Sequence, residues 1–293
     1  MTTDSDSEAP IRQRSVFPTG WARTLPLRVM REVVQIGGLT PLIHKEVNLD
    51  VQGLDQLRSF TGPALIVANH SSHLDTAVLL CSMPHARRRK TAVAAAADYF
   101  FDSWWRAGGS AIAFNTFPIE RRGGSSSTTP AALFADGWSV IVYPEGTRSR
   151  DGFVGRFQMG AAWLAVKHQV PVIPVGLRGT YAAMPRGRRW PVPGRPRVSV
   201  RYGAPIYPGP GETPRQLAPK LSAAVKQLIA EDATSWWTTQ RDLGPSDLAQ
   251  RDLAQPKPGT TLAAPLGSWR RIWEQAEAPV SGGRSRHPRI WRH

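Results

Sequence analysis

Seven strand-like runs alternate with helix-like segments between Val47 and about residue 230, and this alternation restricts the fold more than any other feature of the chain. The expected strands are Val47–Val51, Ala64–Ala68, Thr91–Ala96, Ala111–Phe114, Ser139–Tyr143, Val172–Gly176 and Arg197–Tyr202. Helical patterns fall near residues 75–83, 99–107, 129–136, 157–168 and 214–230, and Thr129-Pro130 and Thr213-Pro214 are start signals for two of them. Strands that alternate with helices cannot pair as neighbouring hairpins. They imply an α/β fold with a mostly parallel central sheet flanked by helices.

An N-terminal amphipathic helical segment precedes this domain. Residues 1–14 read as a disordered leader, polar and acidic at the start. Within residues 15–45, the run from Leu27 to Ile36 puts Leu27, Val29, Met30, Val33, Val34 and Ile36 on one broad arc. Arg28, Arg31, Glu32 and Gln35 occupy the opposite arc, and Gly37-Gly38 is expected to end the helix. So wide an apolar arc suits a helix lying in a membrane interface, with Trp21 and Arg23 as anchors; a helix packed on the domain core is the alternative. Residues 46–230 form the expected catalytic-size domain, and residues 231–293 a basic, Trp-containing flexible tail. In the tail, Asp247-Leu248-Ala249-Gln250 partly recurs as Asp252-Leu253-Ala254-Gln255, too short for a repeat architecture.

Charge and cysteine usage narrow the partners. A formal net charge of +15 favours anionic ones: lipid headgroups, phosphates or nucleic acid. Nucleic acid is not expected, because no binding motif is present and the arginines are dispersed. The single cysteine, Cys81, excludes an intramolecular disulfide and a cysteine-rich metal site, and its apolar setting reads as core. No segment reaches the roughly 18 unbroken apolar residues of a spanning helix, and the acidic N-terminus is no secretory signal. A cytoplasmic protein is expected.

The stretch Asn69-His70-Ser71-Ser72-His73-Leu74-Asp75 carries the chemistry. It follows the apolar run Ala64–Ala68 and opens a helix-like segment, the place where α/β proteins set reactive side chains. An imidazole can take a proton from a hydroxyl, and a carboxylate on its other nitrogen fixes the tautomer. From the residues alone, His70 could equally satisfy a turn while Asp75 caps the helix. His70, His73 and Asp75 could be read as metal ligands, but no second compact ligand cluster accompanies them, and no metal is expected. Gly123–Thr128 lacks the Gly-Lys-Ser/Thr ending of a nucleotide-phosphate loop.

Three further segments follow in order: Phe117-Pro118-Ile119-Glu120-Arg121-Arg122, Tyr143-Pro144-Glu145-Gly146-Thr147-Arg148-Ser149 and Val170-Pro171-Val172-Ile173-Pro174-Val175. With the first stretch they resemble the four sequence blocks of the glycerophospholipid acyltransferases, the lysophosphatidate acyltransferases and their relatives, over about Val47 to Val175. The Asn-His-x4-Asp and Pro-Glu-Gly-Thr-Arg-Ser blocks match at every signature position. The resemblance implies transfer of a fatty acyl group from a thioester to a hydroxyl of a glycerol-phosphate lipid, with 1-acylglycerol 3-phosphate giving phosphatidate. Another lysophospholipid or glycerol 3-phosphate is the alternative acceptor, and a non-catalytic membrane-binding protein the distant one.

By the same resemblance, His70 is the general base and Asp75 its orienting partner. Arg121 and Arg148 bind the acceptor phosphate, and Glu145, Gly146 and Thr147 shape the substrate pocket. Glu145 also reads as a partner for Arg148. Ser71 and Ser72 sit in no nucleophile elbow and read as helix caps. No cofactor is implied beyond acyl-CoA or acyl-ACP as co-substrate, so the expected partners are a membrane lipid acceptor, an acyl thioester donor (possibly on acyl carrier protein) and an anionic membrane surface. The expected location is the cytoplasmic face of the cell membrane, peripheral or monotopic. One departure bears on the acceptor: Gln158 stands where relatives commonly have lysine, which leaves the acceptor open between lysophosphatidate and a lysophospholipid whose phosphate carries a headgroup, with Arg156 as a substitute for the missing charge.

Overall fold

The structure is a computed structural model that describes residues 20–96, 104–119 and 128–233, all within the chain's first unit, Met1–Asp242. The 1–14 leader, nearly all of the 231–293 tail, Arg121 and the Gly123–Ser127 loop lie outside the described residues.

The sheet has strands β1 (Asn48–Gln52), β2 (Leu65–Ala68), β3 (Thr91–Ala96), β4 (Thr116–Ile119), β5 (Ser139–Val142), β6 (Val172–Arg178) and β7 (Arg197–Tyr202). Their order is β1-β7-β6-β2-β5-β3-β4, and every pairing is parallel except β6 with β7. A mostly parallel sheet must be covered on both faces. Leu65 and Val67 of β2 face one core cluster, and Ile66 and Ala68 face the other. The first cluster is closed by α8 (Gly160–His168) and by Leu217, Leu221 and Val225 of α10 (Pro214–Ala233). The second is closed by α4 (Leu74–Ser82) through Val78, Leu79 and Leu80. Cys81 packs against this second cluster, and burial raises its thiol pKa, as expected of a core residue.

One expected strand is a helix. Ala111–Phe114 forms the last turn of α6 (Trp104–Phe114), and the strand follows it as β4. A four-residue apolar run fits a helix end or a strand equally well, so its periodicity could not decide. Asn115 decides it. Its backbone is left-handed (φ 54), its N–H returns to Ala111 O at 3.0 Å, and its side chain donates to Thr91 O at 3.0 Å, which stops the helix. Pro118 is tolerated in β4 because that strand is at the sheet edge. Short helices α3 (Leu54–Ser59), α5 (His85–Arg89), α7 (Thr128–Ala135) and α9 (Thr180–Ala183) fill connections, and only α7 among them was expected.

The N-terminal segment differs from expectation in two ways. Gly37-Gly38 does not stop it: α1 (Leu25–Val33) runs through a wide π-turn, Val34–Leu39, into α2 (Thr40–Glu46). And Arg23 is no solvent anchor, since its guanidinium lies 6.0 Å over the Phe117 ring, while Trp21 is exposed.

The helix packs through its polar side. Arg31 is 6% exposed and Gln35 is also buried. Arg31 Nε donates to Ile112 O at 2.8 Å, its Nη2 donates to Ala111 O at 2.9 Å and Ala22 O at 2.6 Å, and Gln35 Nε2 donates to Ala113 O at 2.8 Å. Apart from Ala22 O, these are last-turn carbonyls of α6 at its negative end; Ala111 O also accepts from Asn115 N, and Ile112 O and Ala113 O lie beyond the last i to i+4 bond of the helix. Burial, then Arg23 and Arg28, push the Arg31 pKa down to about 10, so it is still cationic at neutral pH. Glu32 pairs with Arg89 and lies 3.7 Å from His85. Leu25, Val29, Val33 and Ile36 consequently face outward, Leu25 at 67% and Val33 at 65% exposure.

Arg31→Ala should therefore cost about 2 kcal/mol or more in urea unfolding, because it strands buried carbonyls that accepted from a charged donor. Val33→Ser should change stability by less than about 0.5 kcal/mol. Equal midpoints for the two variants would remove Arg31 from the fold's support.

Candidate active site

The strand order reverses beside β2: the chain passes from β2 toward β3 on one side and later returns to β6 on the other. Such a switch point leaves a crevice at the carboxyl ends of the strands. His70 follows the end of β2, Tyr143 follows β5, and Leu177 is near the end of β6. Asn69 ties two of these ends together, donating to Leu177 O at 2.9 Å and accepting from Leu177 N at 2.8 Å.

Asp75 is in the first turn of α4 and has no exposed surface. Its Oδ2 accepts from Ser71 N at 2.7 Å and Ser72 N at 2.9 Å, and lies 2.8 Å from His70 Nδ1. An ionised carboxylate only accepts, so Nδ1 carries the proton and the lone pair stays on Nε2. The two bland readings of the sequence, a capping aspartate and a turn histidine, describe the same arrangement that makes a base. The His70 side chain is one-fifth exposed, enough to be reached.

Glu145 holds the histidine in place from 75 residues away. Its Oε1 accepts from His70 N at 2.7 Å and its Oε2 from Gly155 N at 2.8 Å, while Ser149 N donates to His70 O at 2.8 Å. Both backbone groups of His70 are thus bound by the Tyr143–Ser149 turn or its side chains. Burial raises the Glu145 pKa, and the two backbone donors work against that rise. The turn closes with Gly146 N on Tyr143 O at 3.1 Å, and Gly146 has φ 72, a conformation that favours glycine.

Tyr143 was missed by sequence reasoning. Its ring stacks on His70 with centroids 4.1 Å apart and planes at 18°, and its hydroxyl is 3.0 Å from Thr76 Oγ1. Desolvation, then the Asp75 charge, push its phenol pKa up, so it stays neutral. Its place at the head of the Pro-Glu-Gly-Thr-Arg-Ser block was the one available signal.

The serines are buried and occupied. Ser71 Oγ is 3.0 Å from Thr180 Oγ1; Ser72 Oγ donates to Met184 O at 2.7 Å and accepts from Leu74 N at 3.2 Å. Ser72 is a cap, as expected, whereas Ser71 joins α4 to α9. Arg148 is half-buried and shares a groove of about 490 Å³ with His73. Thr147 is exposed on the same turn. Gln158 N donates to Pro144 O at 2.7 Å, which puts this departure from the usual lysine beside the turn. The structure therefore gathers His70, Asp75, Glu145, Gly146 and Arg148 at one crevice, and Arg121 lies outside the described residues. Among the described residues no group of metal-ligating side chains is close enough to hold an ion.

Residues 48–178 match the family model described as Acyltransferase. These residues belong to the acyltransferase family. Half of the chain is similar to the 1-acyl-sn-glycerol-3-phosphate acyltransferase BAT2 of Brassica napus, 34% identical over 149 residues that cover 50% of this chain and 41% of that protein. Similarity to the human 1-acyl-sn-glycerol-3-phosphate acyltransferase beta is 33% over 118 residues, 39% of this chain and 40% of the relative. Over these alignments the chain spans about two fifths of the length of its curated relatives. A crystal structure of the 1-acyl-sn-glycerophosphate acyltransferase PlsC from Thermotoga maritima superposes with a TM-score of 0.57 at 25% identity, covering 76% of this chain and 86% of that one. The fold of the described residues thus has a solved counterpart.

His73 offers a pH test of the crevice. Although exposed overall, its ring is desolvated, and that effect, then the charges of Arg148 and His70, push its pKa down to about 4. The unfolded chain takes this proton near about pH 6.5, so acid favours the unfolded state progressively between the two values. His73→Gln should flatten the fall in urea midpoint between about pH 6.5 and 4.5 relative to wild type. Parallel pH profiles would place His73 away from Arg148.

Proposed function

We propose that this acyltransferase moves a fatty acyl group from an acyl thioester to the free hydroxyl of 1-acylglycerol 3-phosphate, giving phosphatidate. The observation that carries the reading is the His70 Nδ1 to Asp75 Oδ2 bond, clamped by two backbone donors at the mouth of the switch-point crevice. His70 Nε2 removes the hydroxyl proton as the oxygen attacks the thioester carbonyl. The carbon–sulfur bond breaks, and the imidazolium returns the proton to the departing thiolate. Asp75 stabilises the imidazolium, and the Tyr143 face against the ring adds a favourable cation–π contact. A thioester is already activated, so no covalent enzyme intermediate is needed, in keeping with the occupied hydroxyls of Ser71 and Ser72. Arg148 receives the acceptor phosphate, with Arg121 as its expected companion. Glu145 and Gly146 act by holding His70 and the Arg148 turn.

The enzyme works at a membrane surface, peripheral or monotopic, on the cytoplasmic face. No helix among the described residues is long and apolar enough to cross a membrane. What supports attachment is the outward apolar row Leu25, Val29, Val33 and Ile36, on a helix already docked by its polar side. Such a row buries apolar area in the headgroup region at no expense to the fold. Gln158 beside the Pro144 turn favours a second acceptor class, a lysophospholipid whose phosphate carries a headgroup.

Purified full chain given acyl-CoA and a panel of lysolipids, read by mass spectrometry, should form phosphatidate fastest. His70→Ala should reduce the rate by about two to four orders of magnitude without unfolding, and Asp75→Asn by less. Ser71→Ala and Ser72→Ala should keep most activity. An acyl group trapped on either serine would sink direct transfer, and preference for lysophosphatidylcholine would change the acceptor.

Replacing Leu25, Val29, Val33 and Ile36 by serine should leave the melting temperature nearly unchanged and reduce sedimentation with phosphatidylglycerol vesicles at least about tenfold. Unaltered sedimentation would move the membrane contact elsewhere.

A further inference from the structure

The groove that holds Arg148 and His73 has a second wall that the acyl-transfer chemistry leaves unused. Met184, Arg186, Arg188 and Arg189 form it, all in the segment between α9 and β7. Arg186, Arg188 and Arg189 are exposed, and no carboxylate among the described residues lies within ion-pair distance of them. An exposed arginine is ordinarily a solvated surface charge. Here the geometry is more particular.

The segment is tied at several points. Ser72, two residues from the base, donates to Met184 O at 2.7 Å, and Val192 N returns to Ala183 O at 2.8 Å. Arg188 N closes a turn on Pro185 O at 3.1 Å. On the far side, Trp190 Nε1 donates to Glu46 Oε2 at 3.2 Å and Arg195 Nη2 to His44 O at 2.9 Å, which fasten the segment to α2. The arginines are therefore held against the catalytic crevice. Desolvation first, and then the charges of Arg148, His70 and, least, Arg186, lower the His73 pKa, so the groove places His73 within reach of both arginines.

Four guanidiniums in one groove exceed what a lipid phosphomonoester needs, since that group carries about two negative charges at most. Coenzyme A carries about four, about two on its 3′-phosphate and the rest on its diphosphate. The open groove of about 490 Å³ has room for a cluster of phosphates, whereas the arm of an acyl carrier protein brings a single phosphodiester with about one negative charge. Resting on the acyl-transfer reading, we propose that Arg186, Arg188 and Arg189 form a polyphosphate subsite for a coenzyme A thioester donor, with Arg148, next in sequence to the Ser149 that binds His70 O, left to the acceptor. The pantetheine arm then runs from this outer wall toward His70, and the donor of this enzyme is acyl-coenzyme A.

The test is calorimetric titration of the full chain with coenzyme A, 3′-dephospho-coenzyme A and pantetheine, for wild type and for the combined Arg186→Gln, Arg188→Gln, Arg189→Gln variant. Wild type should bind in that descending order, with steps of about tenfold, and the variant should lose at least about tenfold for coenzyme A with no change for pantetheine. In turnover, the variant should raise the KM for acyl-coenzyme A while leaving the KM for lysophosphatidate and activity with acyl-pantetheine unchanged. Equal wild-type affinity for coenzyme A and pantetheine would overturn the subsite. So would a loss confined to the acceptor, to acyl carrier protein as donor, or to phosphatidylglycerol vesicles. The binding arm needs no turnover: a chain that binds coenzyme A through these arginines yet acylates no lysolipid would refute acyl transfer and leave the subsite standing.

Discussion

Asp75, itself without exposed surface, accepts at Oδ2 from Ser71 N and Ser72 N and meets His70 Nδ1, all within 2.9 Å. A buried carboxylate is costly unless its charge is met by donors, and three donors plus the positive end of α4 meet this one. That single atom caps a helix, folds the turn before it and fixes which nitrogen of His70 is basic. The turn therefore cannot loosen without the imidazole losing its orientation.

Everything around this atom works to hold the turn where β2 delivers it. Asn69 ties the strand end to β6, Glu145 and Ser149 grip both backbone groups of His70, and Tyr143 lies flat on the imidazole. These partners come from segments more than 70 residues apart, and parallel pairing of β2 with β5 and β6 brings them together. The same framework continues outward through Ser72 to Met184, so the arginine wall of the groove inherits its position from the catalytic turn.

The N-terminal helix reverses the usual arrangement of polar outside and apolar inside. The reason is the end of α6, where Arg31 and Gln35 donate to the last-turn carbonyls of Ala111, Ile112 and Ala113. Burying those side chains turns the apolar row of Leu25, Val29, Val33 and Ile36 toward the exterior. The packed-helix reading of the amphipathic pattern therefore holds for the polar face, and the apolar face is left exposed.

Six of the seven strands and the order of the site's blocks were legible in the chain, because short apolar runs and turn residues are local signals. His70 and Asp75 were legible for the same reason: five residues apart across a strand end, they needed no distant contact to meet. The helix over Ala111–Phe114 was not, since a left-handed Asn115 and its bond to Thr91 set that boundary from another strand. Continuation of the first helix through Gly37-Gly38 depended on packing rather than on propensity. Nor could local sequence show that Glu145 binds the His70 backbone, that Tyr143 stacks on its ring, or that Arg186, Arg188 and Arg189 join Arg148 in one groove. The sequence by itself determined the α/β class, the spacing that joins His70 to Asp75 and the family of residues 48–178. Tertiary structure decided which way the amphipathic helix faces and which distant residues serve the pair, because those depend on hydrogen bonds and contacts between segments that only the closed sheet brings within reach.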